Sequence, residues 1–216
     1  MDMWRAASFG MSHSLKSLIE RAPDHNGKDK SGATPLIYAA RSGHVKILKQ
    51  LLTSGADINI EGYGGMRPLH HAIIHGREPA CALLLEMEAS SSCVDENGYT
   101  PLHSAAQSGA LNVLIRLIEN NADVNVCSNT NTMPLHIAAQ TGGDAIATKL
   151  IEHGAEINGQ DIAGNTPLHY ASMIGFSEIA SILLKSGASP SLVNCKKLTP
   201  LDVAVDQDMI NILKNG

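Results

Sequence analysis

The chain has 216 residues, 44% of them apolar but only 3% aromatic, so its core must be built from Leu, Ile, Val and Ala in thin layers, as short and closely packed helices allow. A formal net charge of −5 without clusters of Lys and Arg excludes the electrostatic footprint of a nucleic-acid binder. No apolar stretch approaches the roughly 18 residues of a membrane span, and Met1-Asp2-Met3-Trp4-Arg5 does not read as a signal peptide.

The dominant signal is internal periodicity. Pro35, Pro68, Pro101, Pro134, Pro167 and Pro200 are spaced 33 residues apart, each followed by Leu. Gly10, Gly43, Gly76, Gly109, Gly142 and Gly175 repeat with the same spacing, as do Ala56, Ala89, Ala122, Ala155 and Ala188. Self-similarity at this period is the mark of a repeat architecture. The copies divide at approximately 1–28, 29–61, 62–94, 95–127, 128–160, 161–193 and 194–216, which makes seven copies in a single domain spanning 1–216.

The first copy lacks the proline entry but keeps Ala6-Ala7, Gly10 and Ala22-Pro23-Asp24-His25-Asn26 in register. In the second copy Thr34-Pro35 opens a helix: Thr accepts hydrogen bonds from the free N–H groups of the first turn, and Pro suits the first helical position. Ala39-Ala40 lets that helix approach its neighbours closely, and Gly43 ends it. A second helix over Val45–Leu52 ends at Gly55, and the polar stretch from Asp57 to Gly62 suits an extended hairpin or turn. The third copy departs most from this plan, with Arg67 in the place of the capping Thr and Glu88-Ala89-Ser90-Ser91-Ser92 in the place of Gly-Ala-Asp-x-Asn. The fourth and sixth copies return to it. Thr100-Pro101 and Thr166-Pro167 open helices there, and Asn121 stands where Gly154 and Gly187 terminate the second helix. In the last copy Thr199-Pro200 is expected to open a helix, with Asp202 in the place of His and Asp208 in the place of Gly.

Thr100-Pro101-Leu102-His103-Ser104-Ala105 and Thr166-Pro167-Leu168-His169-Tyr170-Ala171 resemble the ankyrin repeat signature, and Gly55-Ala56-Asp57-Ile58-Asn59 resembles its second half. The resemblance covers essentially the whole chain. It implies an all-α solenoid of stacked helix-turn-helix units, each with a projecting β-hairpin, and with atypical terminal copies acting as polar caps. It also implies that the four signature histidines bond their own helix start and the neighbouring copy. Asn125 and Asn158 stand where some family members carry a hydroxylated Asn.

The candidates for chemistry are weak. His71 and His75 have the spacing of two metal ligands on one helix but no third partner in sequence. Gly62-Tyr63-Gly64-Gly65 lacks the Lys-Ser/Thr of a phosphate-binding loop and reads as a turn. Cys81 reads as core, whereas Cys93, Cys127 and Cys195 fall in hairpin segments and are expected to be exposed. No nucleophile elbow is present. The expectation is a non-enzymatic chain without catalytic residues, cofactor or metal.

Binding specificity must lie where the copies differ. On the face that the resemblance assigns to partners, the expected contact residues are Arg41, Tyr63, Met66, Ile74, His75, Tyr99, Met173 and Ile174, because large apolar and aromatic side chains concentrate binding energy. The reading is a protein-interaction module, that is, an adaptor, scaffold or inhibitor binding a protein or peptide on a concave face. The alternative is an assembly chaperone or regulatory subunit. The partner is a protein, without nucleic acid or membrane insertion. The chain reads as a monomer, and four unpaired Cys suggest a cytoplasmic or nuclear location.

Overall fold

The computed structural model describes residues 2–21 and 24–215, so Ala22 and Pro23 of the first copy lie outside the described residues. The backbone forms thirteen α-helices and one 3-10 turn, with no strand among the described residues. None of these helices is long and apolar enough to cross a membrane. The chain divides into two compact units, Met1–Glu96 and Asn97–Gly216.

The first unit holds α1 (Met3–Ser8), α2 (Ser12–Arg21), α3 (Pro35–Ser42), α4 (Val45–Thr53), α5 (Pro68–Ile74) and α6 (Glu78–Glu86). The first helices of successive copies pack in one layer, α1 on α3 and α3 on α5, and the second helices pack in another, α2 on α4 and α4 on α6. The second unit repeats the plan with α7 (Pro101–Ser108), α8 (Leu111–Glu119), α9 (Pro134–Thr141), α10 (Asp144–Glu152), α11 (Pro167–Ile174), α12 (Ser177–Lys185) and α13 (Gln207–Asn215). Here α9 lies between α7 and α11, and α10 between α8 and α12. The core is the strip between the layers: Leu36, Ala39, Ala40, Leu48 and Leu51 are fully buried in the first unit, and Leu102, Ala105, Leu114 and Leu117 in the second. Each buried Leu contributes about 1.5–3 kcal/mol.

The helix boundaries follow from local chemistry. Prolines occupy the first position of α3, α5, α7, α9 and α11. Gly43, Gly109, Gly142 and Gly175 close α3, α7, α9 and α11 in the left-handed conformation. The signature histidine completes the helix start. In His103 the Nε2 lies 2.9 Å from the Thr132 carbonyl oxygen, which can only accept, so Nε2 carries the proton. Nδ1 is then an acceptor and takes the Thr100 N–H at 3.1 Å. His169 repeats the pattern between Thr166 N–H and the Leu198 carbonyl. Where Thr is replaced, the imidazole still does the capping: His136 accepts the Met133 N–H at 3.1 Å, and His70 accepts that of Arg67 at 3.3 Å.

The expected β-hairpins are tight turns rather than paired strands. Asp161 N–H bonds the Asn165 carbonyl, and the Asp161 Oδ1 accepts the N–H groups of Ala163 and Asn165. Asp29, Ser128 and Asn194 organise their turns in the same way. These short side chains satisfy the donors a strand ladder would use. Neighbouring turns in the second unit are joined by single backbone bonds, from Ile162 N–H to the Thr130 carbonyl and from Cys195 N–H to that of Ala163, with side-chain bonds such as Asn194 to Asn165 beside them. Asn125 and Asn158 tie one copy to the next. The Asn125 amide donates to the Gly154 carbonyl and accepts the Glu156 N–H, and Asn158 bonds Gly187 and Ser189 likewise.

The last copy corrects two expectations. Thr199-Pro200 opens only a turn, although Asp202 accepts the Thr199 N–H in the place of a histidine. Ten residues separate each earlier proline from its second helix, as from Pro167 to Ser177, whereas seven separate Pro200 from Gln207. Three residues too few remain for a first helix of ordinary length. In consequence the framework Leu201, whose counterparts Leu36 to Leu168 are buried, is 36% exposed, and Val205 is 58% exposed. The outer surface of this copy is thus not uniformly polar.

Candidate functional site

A cavity of about 690 Å³ opens between the second and third copies of the first unit. Its apolar lining includes Ile37, buried on α3, and Ile74 at the end of α5. Ile37 stands where the later copies carry the signature histidine, so a polar position has become part of a hydrophobic wall. Tyr38 on the next position of α3 turns its hydroxyl to the Asp29 Oδ2, at 2.9 Å, and leaves its ring to the cavity. From the other side come Met66 and Tyr63, carried by the 3-10 turn Tyr63–Gly65, with Ile74 and His75 at the end of α5.

Five of the eight residues singled out from the sequence line this one cavity: Arg41, Tyr63, Met66, Ile74 and His75. Tyr63 is 80% exposed and Ile74 43% exposed, unusual for residues of their size. The other three lie in the second unit. Met173 and Ile174 are exposed at the end of α11. Tyr99 is half-buried and stacks on His103, with ring centroids 5.1 Å apart and planes 19° from parallel, so one face of its ring is taken up by the repeat framework. Ile37, Tyr38 and His71 line the cavity and are not among the contact residues expected from the sequence, His71 being considered there only as half of a metal-ligand pair. The signals were present: Ile37 is a departure from the signature, and Tyr38 occupies the same place in its copy as Tyr170, which also bonds an Asp nine residues earlier.

The electrostatics of the cavity are one-sided. Lys30 and Arg41 stand exposed at its edge, His71 and His75 add imidazoles, and no Asp or Glu lines it. Burial, reinforced by the neighbouring His75, His70 and Arg41, pushes the His71 pKa down from 6.5 to about 4, so its ring is neutral at pH 7. The His71 and His75 rings lie 6.3 Å apart, and His75 Nδ1 donates to the His71 carbonyl at 2.9 Å. No group of three His, Cys, Asp or Glu side chains converges among the described residues. Of the cysteines, Cys81 is buried, with its thiol pushed up to about 12 by burial. Cys127 and Cys195 are exposed, but Cys93, expected at the surface, is half-buried and donates to the Ser90 carbonyl.

Comparison with known proteins bears on the framework rather than on the cavity. The ankyrin repeat family model matches residues 3–93, 87–161 and 135–215. No curated protein sequence matches the chain. Among solved structures, the ankyrin repeat domain of Bcl-3, described as a unique member of the IkappaB protein family, superposes with a TM-score of 0.87 at 26% identity, covering 99% of this chain and 98% of that one. The human ASB11 ankyrin repeat domain superposes with a TM-score of 0.89 at 27% identity, covering 100% of this chain and 97% of that one. Ankyrin repeats are typically non-enzymatic protein–protein interaction modules. Matched over nearly its whole length, this chain belongs to the ankyrin repeat family.

Proposed function

We propose that this chain is a non-enzymatic adaptor, scaffold or inhibitor that binds a protein partner through the face carrying Arg41, Tyr63, Met66, Ile74 and His75. In the second unit Met173 and Ile174 would contribute, with Tyr99 in a lesser part. The observation that carries this reading is the convergence of five side chains, chosen for differing between copies, on a single apolar cavity. Framework packing accounts for the buried leucines and alanines but gives no reason for Tyr63 and Ile74 to stay in solvent. Exposed aromatic and aliphatic groups beside a pocket are the usual anchors of an interface. The exposed sides of α4 and α6 carry Lys46, Lys49, Thr53 and Glu86, with Met87 at the end of α6 as the one exposed large apolar side chain, which favours this face over the other.

The test is affinity capture from native lysate, with the wild-type chain beside Tyr63→Ala/Met66→Ala/Ile74→Ala and beside Met173→Ala/Ile174→Ala, each confirmed helical by circular dichroism. A partner held by the wild type and lost by the first variant supports the reading. A partner held equally by all three moves the interface to another face. Co-elution in a stable high-mass complex would favour a resident regulatory subunit over a transient adaptor.

A further inference from the structure

The cavity of the first unit has a chemistry more specific than general stickiness. Its walls are the side chains of Ile37, Met66 and Ile74 and the rings of Tyr38 and Tyr63. A large apolar side chain placed there would be removed from water on several sides. The cavity volume, about 690 Å³, lies within the range of specific ligand sites and holds more than one side chain.

The edge is cationic. Arg41 and Lys30 are both exposed, and neither takes part in an ion pair among the described residues, where the ion pairs are Arg67 with Glu61 and Lys149 with Glu152. Asp29, next to Lys30 in the chain, does not line the cavity and is held within its own turn. Its Oδ1 accepts the Ser31 and Ala33 N–H groups and the Ser31 hydroxyl, and its Oδ2 accepts the Tyr38 hydroxyl. Those bonds, that of the Ser31 side chain foremost, hold its pKa below the usual carboxylate value. His71, neutral at pH 7 and half-buried, belongs to the wall rather than to the charged edge. In a chain of net charge −5, an apolar cavity with two cations outside any ion pair and no acid in its lining is a local excess of positive charge.

We propose, resting on the interaction-module reading above, that this cavity takes an acidic peptide segment of the partner, with one large apolar side chain seated between Ile37, Met66 and Ile74 and an Asp or Glu within about two positions of it facing Arg41 and Lys30. A chain segment fits better than an enclosed small molecule because the apolar surface continues outward onto Tyr63, which is 80% exposed. An occupant confined to the cavity would cover only the inner side of that ring. The apolar anchor supplies affinity, and the two cations supply orientation and a preference of sign.

The experiment is selection of a random twelve-residue peptide library against the full chain, repeated against Lys30→Glu/Arg41→Glu and against Met66→Ala/Ile74→Ala, all shown to melt as the wild type does. The selected peptides are expected to share a Leu, Ile, Met or aromatic residue within two positions of an Asp or Glu. A synthetic member should bind about tenfold more weakly to Lys30→Glu/Arg41→Glu and in 0.5 M salt than in 0.1 M salt. Selection on the charge-reversed chain should lose the acidic residue but keep the apolar one, and Met66→Ala/Ile74→Ala should lose both. Peptides without an acidic preference, peptides unaffected by either variant, or no enrichment at all would overturn the proposal. Peptides unaffected by either variant but lost on Met173→Ala/Ile174→Ala would overturn it while leaving the interaction-module reading in place.

Discussion

The histidine bridges make a prediction that can be worked from individual bonds. His136 is fully buried on α9, accepts the Met133 N–H at 3.1 Å through Nδ1, and directs Nε2 at the carbonyls of Gly159 and Asn165, at 3.0 and 3.1 Å. In His136→Ala the Met133 N–H, at a buried helix start, loses its partner, and the Gly159 carbonyl of the same copy and the Asn165 carbonyl of the next lose their donor. A stranded buried donor costs about 1–3 kcal/mol, and the vacated ring volume adds to that. The loss should total about 3 kcal/mol. With a urea slope of about 1–3 kcal/mol per molar, the unfolding midpoint should fall by roughly 1 M or more. Its control is His153→Ala: His153 sits exposed beyond the end of α10, with Nδ1 bonded only to the Lys149 carbonyl, and its removal should stay within about 0.5 kcal/mol. The assay is urea unfolding followed by far-ultraviolet circular dichroism at pH 7.5. Midpoints of the two variants that coincide would refute the claim that the signature histidine is a structural bridge.

Three further outcomes follow from single sites. His71 has a folded pKa near 4 against 6.5 unfolded, and burial lowers His136 and His169 in the same direction. The unfolded chain therefore binds these protons first, and stability should be complete above pH 6.5 and fall as the pH drops toward 4. His71 alone contributes up to about 3 kcal/mol to that fall, and His71→Gln should flatten it in thermal melts across the range; equal slopes would contradict the assignment. Glu88 holds a left-handed φ of 63° where Gly55, Gly154 and Gly187 stand in other copies, so Glu88→Gly should stabilise the chain by about 1 kcal/mol, and a lower melting temperature would count against the repeat register. Iodoacetamide at pH 8 should label Cys127 and Cys195 quickly and Cys81 only after unfolding, because Cys81 is buried and its thiol held near pKa 12. Mass spectrometry showing early modification of Cys81 would place the second-helix core wrongly.

The repeat framework is legible in the sequence because each of its positions obeys a local rule. Pro at the first helical position, Gly at a left-handed cap and Ala at a close helix contact act within a few residues, and the helices begin and end where those residues stand. What escapes such rules depends on counting or on neighbours. The short last copy is a matter of three residues between Pro200 and Gln207, which no motif announces. The turns are closed by Asp29, Ser128, Asp161 and Asn194 side chains, and the sequence pattern does not separate these from hairpins closed by a ladder. The cavity is partly legible: Tyr63, Met66 and Ile74 stand out as apolar residues at variable positions. Ile37, Tyr38 and His71 do not, because their part in it arises from α3 and the turn beyond Gly62 meeting α5, residues some thirty positions apart. The stacking of Tyr99 on His103 is hidden for the same reason, since an aromatic residue before a helix gives no sign of which face of its ring is covered.

The most direct test of the interaction-module account is hydrogen–deuterium exchange of the chain with and without its captured partner. The account predicts protection on binding in the segments 30–41 and 63–75, which carry the cavity, with α2, α4 and α6 unchanged. Protection confined to α4 and α6, with exchange at 63–75 unaltered, would contradict it.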